Sequence, residues 1–543
     1  MSFATKEHFR RAIADVAAYG DNDVLPFDVD TKFISECSEE LTETVHRFAL
    51  KLETKSDGDC KSVLKGITVF AERLLSPSGP SGFRITTKIH PFWNIYLNGL
   101  AVAIAEQHED IRSPRAHSYR YAQEGRSLFR KEASWRAFKE ATLEESDSDD
   151  SDQVVVLTDV SSYYEHIYHH RLENFLRDLL PQTNHSIQID ILLSKLAGGR
   201  SFGLPVGGQC SRVLAEVVMG SIDRSLEAKG VRWRRYVDDF VLVAQSRSDA
   251  YKALGILANA LGDLGLSLNR TKTTFLSARH YHEYVNTQLG SPDDESRELR
   301  EIDLYFDPYS DTPDEDYENL KDAVSQVDVA RLLGLELEKG QPDGFVVRQV
   351  SRSLRVMDPD RAYGIAATLL DGRNLHSFRA NWATVMRGVA FIRGNSEHQE
   401  MHDRLDSLID AVTAHSSHLV LVETNALHYL RTIRFKRNNK RAKFVARLFK
   451  ETQSTTIRRA CIDCWRHWRD REMFLDMRNR WSSLGAGEQR MLWLAASAFG
   501  DDGLAFQNQE RASLKELWRL GIEKRSANSF AQIYVDWAEH AAE

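Results

Sequence analysis

The spacing of apolar residues predicts helices at the start of the chain and a mixture of strands and helices further on. Residues 1–78 carry apolar side chains three or four positions apart, with a break at Pro26, which is typical of amphipathic helices. The β-branched run Val154–Leu157 predicts a buried strand. Tyr236–Ala244 predicts two strands around a tight turn, and Ser211–Leu226 predicts a helix that precedes them.

The pattern changes again in the second half of the chain. Asp358 precedes Pro359 as a cap residue precedes the first helical position, and no comparable strand signal follows residue 350. Successive amphipathic helices predict an all-α helical-repeat domain there. We therefore expect an N-terminal helical region, an α+β region, an acidic linker and a helical-repeat domain, at residues 1–78, 79–290, 291–330 and 331–543.

Charge and cysteine content narrow the class of protein. The net charge of −8 is unusual for an enzyme that acts on nucleic acids, but much of the acid lies in Glu144–Asp152 and Asp293–Glu318, which predict solvated loops. Five scattered cysteines fit a reducing compartment better than a disulfide scaffold. The N-terminus does not resemble a secretory signal, and no run of about 18 apolar residues predicts a membrane span. We expect a cytoplasmic protein with no membrane partner.

Acidic residues at strand ends are the strongest sign of chemistry. Asp238 and Asp239 lie side by side between two apolar strands, and Asp159 directly follows the strand Val154–Thr158. An ordinary hairpin turn, or a helix cap for Asp159, would explain each acid by itself. Together they suit two Mg²⁺ ions about 4 Å apart, with Mn²⁺ as a substitute, which activate a hydroxyl and stabilise a leaving pyrophosphate. These three residues are the predicted catalytic groups.

Four segments in order resemble the motifs of reverse transcriptases. Asp159–Tyr164 resembles motif A, and Gly203–Ser211 resembles motif B. Tyr236–Asp239 resembles motif C, and Gly265–Thr273 resembles motif D. The resemblance covers roughly residues 80–280. It implies a right-hand polymerase with fingers and an antiparallel palm sheet, an N-terminal extension of the fingers, and dNTPs as substrates.

Shorter segments resemble bacterial abortive-infection reverse transcriptases, a defence-associated group. These segments are Tyr19–Pro26, Ser118–Arg120, Tyr163–His170 and Ser211–Glu216. Members of the group are similar in having a helical-repeat domain after the polymerase. The resemblance implies antiphage defence and homo-oligomerisation. It also implies DNA synthesis without a template, primed by a protein hydroxyl, so that the DNA product stays covalently attached to the protein.

The resemblance also gives roles to individual residues. The metal ligands that it implies are Asp159, Val160, Asp238 and Asp239. Tyr164 would be a steric gate that excludes ribonucleotides, although a packed core tyrosine remains the alternative. The nucleotide-binding candidates are Tyr164, Arg120, Arg126, Gly203, Pro205, Val206, Gly207 and Lys272.

The reason for expecting nucleotide binding differs from one candidate residue to the next. Arginine pairs well with phosphate, so Arg120, then Arg126, is expected to hold the triphosphate, and Lys272 is expected near the pyrophosphate. A simple surface charge is the alternative for each of these cations. Glycines near Val206 would let the backbone approach the substrate closely. The family usually has glutamine where Val206 stands, which puts template-directed selection in doubt.

The densest basic run predicts contact with a nucleic-acid backbone. Its candidate residues are Arg434, Lys436, Arg437, Lys440, Arg441 and Lys443. A solvated helix face, or contact with an acidic block of a neighbouring subunit, would explain the run equally well. Two rival functions also remain open. One is an RNA-templated reverse transcriptase that uses a bound noncoding RNA, and the other is a catalytically inert scaffold that binds nucleic acid.

Overall fold

The protein is mostly helical and contains two small antiparallel sheets. The computed structural model describes residues 3–79, 82–125, 127–130, 132–181, 183–289, 299, 313–339, 342–517 and 529–540.

The N-terminal region consists of helices that lead into a β-hairpin and a long buried helix. These are α1 (Lys6–Tyr19), α2 (Val29–Glu36), α3 (Ser38–Glu53), α4 (Asp57–Gly66), β1 (Ala71–Ser78), β2 (Gly82–Ile89) and α5 (Pro91–Glu109). The helical prediction for residues 1–78 is therefore wrong from Ala71 onward. The boundary predicted after residue 78 falls at the turn of the hairpin, between two paired strands.

The next region alternates helices and strands, as its sequence predicts. It contains α6 (Trp135–Glu145), β3 (Val154–Asp159), α7 (Tyr163–His166), α8 (His169–Leu179), α9 (His185–Leu196), α10 (Gln209–Ala228), β4 (Arg232–Tyr236), β5 (Asp239–Ala244), α11 (Arg247–Asp263), β6 (Thr274–Ser277) and α12 (Ala278–Leu289). The predicted strand at residue 154, the helix at residue 211 and the strand pair around residue 238 are confirmed.

The larger sheet has its strands in the order β4-β5-β3-β6, and all neighbours are antiparallel. Successive residues of β3 point to opposite faces, as the pleat requires. Val155 packs with Phe138 of α6 and Tyr281 of α12, whereas Val156 joins the main core with Leu257 of α11. Both faces of the sheet are therefore covered by helices, so side chains that could reach a substrate are expected at the strand ends.

The remainder of the described chain is helical. Its helices are α13 (Pro313–Ser325), α14 (Val329–Glu338), α15 (Gly344–Ser353), α16 (Pro359–Leu370), α17 (Gly372–Ser377), α18 (Trp382–Gly394), α19 (His402–His415), α20 (Ser417–Val420), α21 (Glu423–Ile433), α22 (Asn439–Glu451), α23 (Thr455–Trp468), α24 (Arg471–Asn479), α25 (Ala486–Ala495), α26 (Gly500–Leu517) and α27 (Phe530–His540). The predicted cap is confirmed, because the side chain of Asp358 accepts a hydrogen bond from the amide of Arg361.

The prediction of solvated loops for the two acidic segments is confirmed only for residues 147–152, which form a largely exposed loop. Pro313–Ser325 is a helix, and the acidic residues from 293 to 298 and from 300 to 312 lie outside the described residues. In the first segment, Glu145 ends α6 and pairs with Arg115 at 2.9 Å and with Arg234 at 2.5 Å. Because both partners are cations, Glu145 belongs to a charge network and not to a solvated loop.

The two ends of the chain meet in one hydrophobic core. The ring of Phe33 on α2 lies 5.6, 5.3 and 5.2 Å from those of Phe530, Tyr534 and Trp537 on α27. The indole of Trp537 also donates to Glu36 at 2.7 Å. The N-terminal region and the helical region are thus packed together. Within the described residues, the helices are too short or too polar to cross a bilayer.

Candidate active site

Strand pairing brings the three predicted catalytic acids to one end of the larger sheet. Asp159 is the last residue of β3 and lies opposite Asp239, the first residue of β5. Asp238 occupies the turn before β5, where its carbonyl accepts a hydrogen bond from the amide of Val160 at 3.2 Å. The structure therefore groups Asp159, Val160, Asp238 and Asp239, which are far apart in sequence.

The turn that carries Asp238 has a strained backbone. Val237 has φ = 58°, a left-handed conformation that costs free energy for a β-branched residue. Its amide donates to Ser118 Oγ at 2.9 Å, and its carbonyl accepts from Arg235 at 3.1 Å. Because these contacts hold both sides of Val237, Asp238 is presented in one orientation.

A buried ion-pair network supports this turn. Arg235 is fully buried and binds Glu216 at 2.8 Å and Asp223 at 2.7 Å. Glu216 also receives Arg112 at 2.6 Å and the hydroxyl of Ser118 at 2.6 Å. A buried guanidinium of this kind is tolerated only when its partners satisfy it.

The two acids of the network titrate differently because their partners differ. Arg235, Arg112 and Ser118 lower the pKa of Glu216 to about 2 despite its burial. Burial raises the pKa of Asp223, which has Arg235 but shares it with the charge of Glu216. No role was assigned to Arg235 from the sequence, and Glu216 was considered only as part of a segment that resembles the family. The signal in the sequence was an arginine directly before the motif that carries the two acids.

The catalytic carboxylates repel one another. Burial, followed by the charges of Asp159 and Asp239, raises the pKa of Asp238 to about 7. Asp239 reaches solvent, yet partial shielding of its carboxyl and the charge of Asp159 also raise its pKa. A bound cation would remove this repulsion, so the donor chemistry fits a hard divalent metal ion.

Lys272 and Asn269 contact Asp159 on its outer side. The ammonium of Lys272 lies 2.9 Å from Asp159 Oδ2, and the amide side chain of Asn269 donates to the same oxygen at 3.1 Å. Among the described residues, no three His, Cys, Asp or Glu side chains are arranged to hold one metal ion. The carboxylate oxygens are the kind of ligand that a hard divalent metal ion prefers. In this structure, the ammonium of Lys272 compensates part of their negative charge.

Tyr164 contacts the Gly203–Ser211 segment, which we call the motif B segment. Its carbonyl accepts the amide of Leu204 at 2.8 Å, and its ring centre lies 5.2 Å from that of Tyr163. Burial, with Tyr119 and Tyr163 nearby, raises the pKa of Tyr164 well above the usual range. A neutral, partly buried tyrosine therefore lies beside the motif B segment.

Residues of the motif B segment come close to the hairpin and to the loop after α1. Gly203 and Gly207 have φ values of 94° and 104°, which favour glycine. The carbonyl of Val206 accepts the Thr86 hydroxyl at 3.0 Å, and that of Pro205 accepts Ser211 Oγ. The segment is thus held by its backbone.

Comparison with known proteins identifies the region that contains this site. Residues 99–335 match the reverse transcriptase (RNA-dependent DNA polymerase) family. These residues form a reverse transcriptase domain. The domain contains the three carboxylates and the motif B segment, and it indicates that the chain is a nucleotidyltransferase with RNA-directed DNA polymerase activity. Enzymes of this family bind nucleotides and nucleic acids and generally use divalent metal ions.

Other comparisons add little. No curated protein matched the chain. Telomerase from Candida albicans, solved with a fragment of telomeric RNA, is similar at TM-score 0.31 and 9% identity, over 69% of this chain and 68% of that one. Apo telomerase from Candida tropicalis is similar at TM-score 0.30 and 12% identity, over 71% of this chain and 73% of that one. Such scores support no argument about fold or function.

Arg120, the first of the arginines that were expected to hold the triphosphate, is bound to other partners in this structure. Arg120 pairs with Glu109 at 2.8 Å and donates to the carbonyls of Ser113 and Ala116. Its charge is therefore compensated by the acid at the end of α5. Arg126 lies outside the described residues.

The basic run lies on α22 and the turn before it, and much of its charge is paired. Arg434, Lys436 and Arg437 form ion pairs with Asp463, Asp403 and Asp470, at 2.9, 2.6 and 3.0 Å. The run therefore contributes less free positive charge than its sequence indicates.

For one residue of the run, Arg441, the predicted contact with nucleic acid is wrong. The side chain of Arg441 is 1% exposed and binds Asp406 and Asp410, so it is not accessible to a phosphate backbone. Lys440 and Lys443 are exposed and form no ion pair among the described residues. Their contact with nucleic acid stays a prediction.

Proposed function

We propose that the chain is a DNA polymerase that joins dNTPs at Asp159, Asp238 and Asp239 by two-metal catalysis. The observation that carries this proposal is the register of β3 and β5, which places the three carboxylates at one sheet end. Their mutual repulsion supports a cation between them. Bound Mg²⁺ ions, or Mn²⁺ in their place, would activate the attacking hydroxyl and stabilise the leaving pyrophosphate.

The chain's own residues would hold and select the substrate. Asp159 and Asp238 would hold the metal ions, with Val160 beside them and Asp239 as the supporting acid. Tyr164 would close the space that a 2′-hydroxyl needs and so favour deoxynucleotides. Lys272 would leave Asp159 and lie near the pyrophosphate.

The biological setting that we infer is antiphage defence by a homo-oligomer, in the manner of abortive-infection enzymes. Val206 in place of the usual glutamine supports synthesis without template-directed selection. A protein hydroxyl of tyrosine or serine would then prime the DNA, because a tethered primer has a very high effective concentration. In this proposal the DNA product remains attached to the protein.

Incubation of the purified protein with labelled dNTPs and Mg²⁺, without added template, tests the proposal. We expect label that comigrates with the protein on a denaturing gel and is released by protease. The matched control is the double substitution Asp238→Asn with Asp239→Asn, which removes charge but little volume and is expected to fold and incorporate nothing. Equal incorporation by this folded variant would contradict the catalytic assignment.

Further outcomes separate the alternatives. DNA that runs free of protein without protease treatment excludes protein priming but leaves polymerisation intact. Synthesis that requires an RNA recovered from the purified protein, identified by sequencing, would favour an RNA-templated enzyme. A protein that binds nucleic acid and incorporates no nucleotide under any of these conditions would be an inert scaffold.

A further inference from the structure

A cavity lies between the segment that joins α1 to α2 and the helices of the second half of the chain. Its volume is about 50 Å³, which holds roughly four water-sized groups, and it is partly open to solvent. Most of its wall is apolar and is formed by Leu25, Phe27, Val29, Leu427, Leu430 and Met491. Walls of this kind favour a ligand that carries an apolar ring or chain.

One cation in the wall of this cavity has no counter-ion. Arg431 on α21 forms no ion pair among the described residues, and its buried Nη1 atom has no hydrogen-bond partner there. Its guanidinium lies 5.6 Å from the ring centre of Phe27. Burial, followed by the charges of Arg434 and Arg387, lowers the pKa of Arg431 to about 10. An uncompensated cation in such a position costs free energy that a bound anion would offset.

Two more arginines in the wall have unused hydrogen-bond donors. Arg434 pairs with Asp463 at 2.9 Å, and Arg459 pairs with Asp30 at 2.6 Å. The buried Nε atom of each nevertheless has no partner in the described part of the chain. Buried N–H groups are nearly always hydrogen-bonded, so three arginines with an orphaned donor around one cavity indicate a missing acceptor.

The two acids in the wall are engaged elsewhere. Asp28 accepts backbone amides at the start of α2 and pairs with Lys88 at 2.7 Å. Asp463 also pairs with Arg466, at 2.8 Å. Neither of these acids forms an ion pair with Arg431. The missing acceptor is therefore not supplied by the protein side chains around the cavity.

We propose that this cavity binds a phosphate monoester, with the phosphate on Arg431, Arg434 and Arg459 and an apolar ring near Phe27. Phosphate oxygens match the geometry of arginine donors, and one phosphate group is of the size that the cavity admits. A nucleoside monophosphate is a ligand of this class. None of these residues belongs to the proposed catalytic or nucleotide-binding groups, so the site does not depend on the proposed polymerase function.

A ligand in this cavity would join two regions of the chain. Phe27 belongs to the segment between α1 and α2, whereas Arg431 and Arg459 belong to α21 and α23. The same segment reaches the motif B segment, because a Cβ atom placed on Gly207 would lie 2.9 Å from Asn22 Cβ. Occupation of the cavity is therefore expected to slow hydrogen exchange in peptides from residues 20–29.

Calorimetric titration of the full chain with dAMP, phenyl phosphate and inorganic phosphate tests the site. Mg²⁺ is left out, so that the catalytic carboxylates repel the nucleotide. We expect both esters to bind, and inorganic phosphate to bind at least roughly 10-fold more weakly because it buries no ring. Arg431→Gln should weaken binding of both esters by roughly 10-fold, as for a charge-assisted hydrogen bond. The matched control is Arg404→Gln, which removes an arginine that lies 4.0 Å over the ring of Tyr363, and it should have no effect.

The melting temperature of the ligand-free variants separates lost binding from misfolding. Arg431→Gln should melt no lower than the wild type, because it removes an unpaired and largely buried charge. Failure of both esters to bind the wild type, or equal affinity in Arg431→Gln, overturns the site. Equal affinity for inorganic phosphate and the esters overturns the assignment of a monoester. Binding of dAMP that is lost in the double variant Asp238→Asn with Asp239→Asn, and retained in Arg431→Gln, places the ligand at the carboxylates and also overturns the site.

Discussion

Replacing Glu216 with glutamine tests whether the buried ion-pair network holds the turn that presents Asp238. Glutamine keeps the size of the side chain but removes the charge that balances Arg235 and Arg112. The pKa of Glu216 falls from its ordinary 4.5 to about 2, so its charged form is favoured in the folded protein by about 3 kcal/mol. Breaking a buried ion pair by removing one partner costs about 3–5 kcal/mol, which agrees.

Hydrogen exchange of peptides from β4 and β5 measures the loss of stability locally. A local measurement is needed because a chain with several regions need not unfold in a single step. A loss of about 3 kcal/mol corresponds to roughly 100-fold faster exchange in Glu216→Gln at pH 7. The matched control is Asp223→Asn, which also contacts Arg235. Because burial raises the pKa of Asp223, its charge stabilises the fold less, and a smaller change is expected.

The pH dependence gives a second check on Glu216. Its folded pKa is depressed, so its contribution to stability is fully present above about pH 4.5 and is lost as the pH falls toward 2. The difference between wild type and Glu216→Gln should shrink over that range. Equal effects of Glu216→Gln and Asp223→Asn, or a difference that persists at pH 2, would refute this account of the network.

Three further predictions concern the active site and the basic run. Tyr164→Ala should admit rNTPs while Tyr164→Phe keeps the preference for dNTPs in competition assays; unchanged selection by Tyr164→Ala would mean that another residue is the gate. Because the pKa of Asp238 is about 7, protons compete with Mg²⁺ for its carboxylate. Mg²⁺ should therefore raise the melting temperature of the protein at pH 8 and not at pH 5. Equal stabilisation at both pH values would contradict a metal site there. Lys440→Glu with Lys443→Glu should weaken binding to single-stranded DNA at low salt, relative to the exposed control Arg136→Glu, and retained affinity would exclude this surface.

Much of the site was predictable because it depends on short segments with strong local patterns. A β-branched run ending in Asp159, and two acids between apolar strands, indicate strand ends through their local pattern alone. Antiparallel pairing then brings Asp159 opposite Asp239. The sequence could not indicate which oxygen Lys272 would contact, because that depends on the loop from Gly265 to Thr273 folding back onto β3.

Other features were unpredictable because they depend on contacts between distant segments. The run Ala71–Ser78 forms a strand because it pairs with β2. Several basic residues on α22 and in the turn before it looked free in the sequence. The acids that neutralise them are contributed by α19, α23 and the segment just before α24. The pairing strand and the neutralising acids cannot be found from local sequence spacing. A basic run in the sequence is therefore a poor indicator of exposed cations when distant helices carry acids.

The meeting of α2 with α27 has a consequence for synthesis of the protein. Phe33 leaves the ribosome about 500 residues before Tyr534, so the aromatic cluster that they share cannot form until α27 has been translated. A nascent chain that has not reached α27 would already carry the three carboxylates, but it would lack the packing of α2 against that helix.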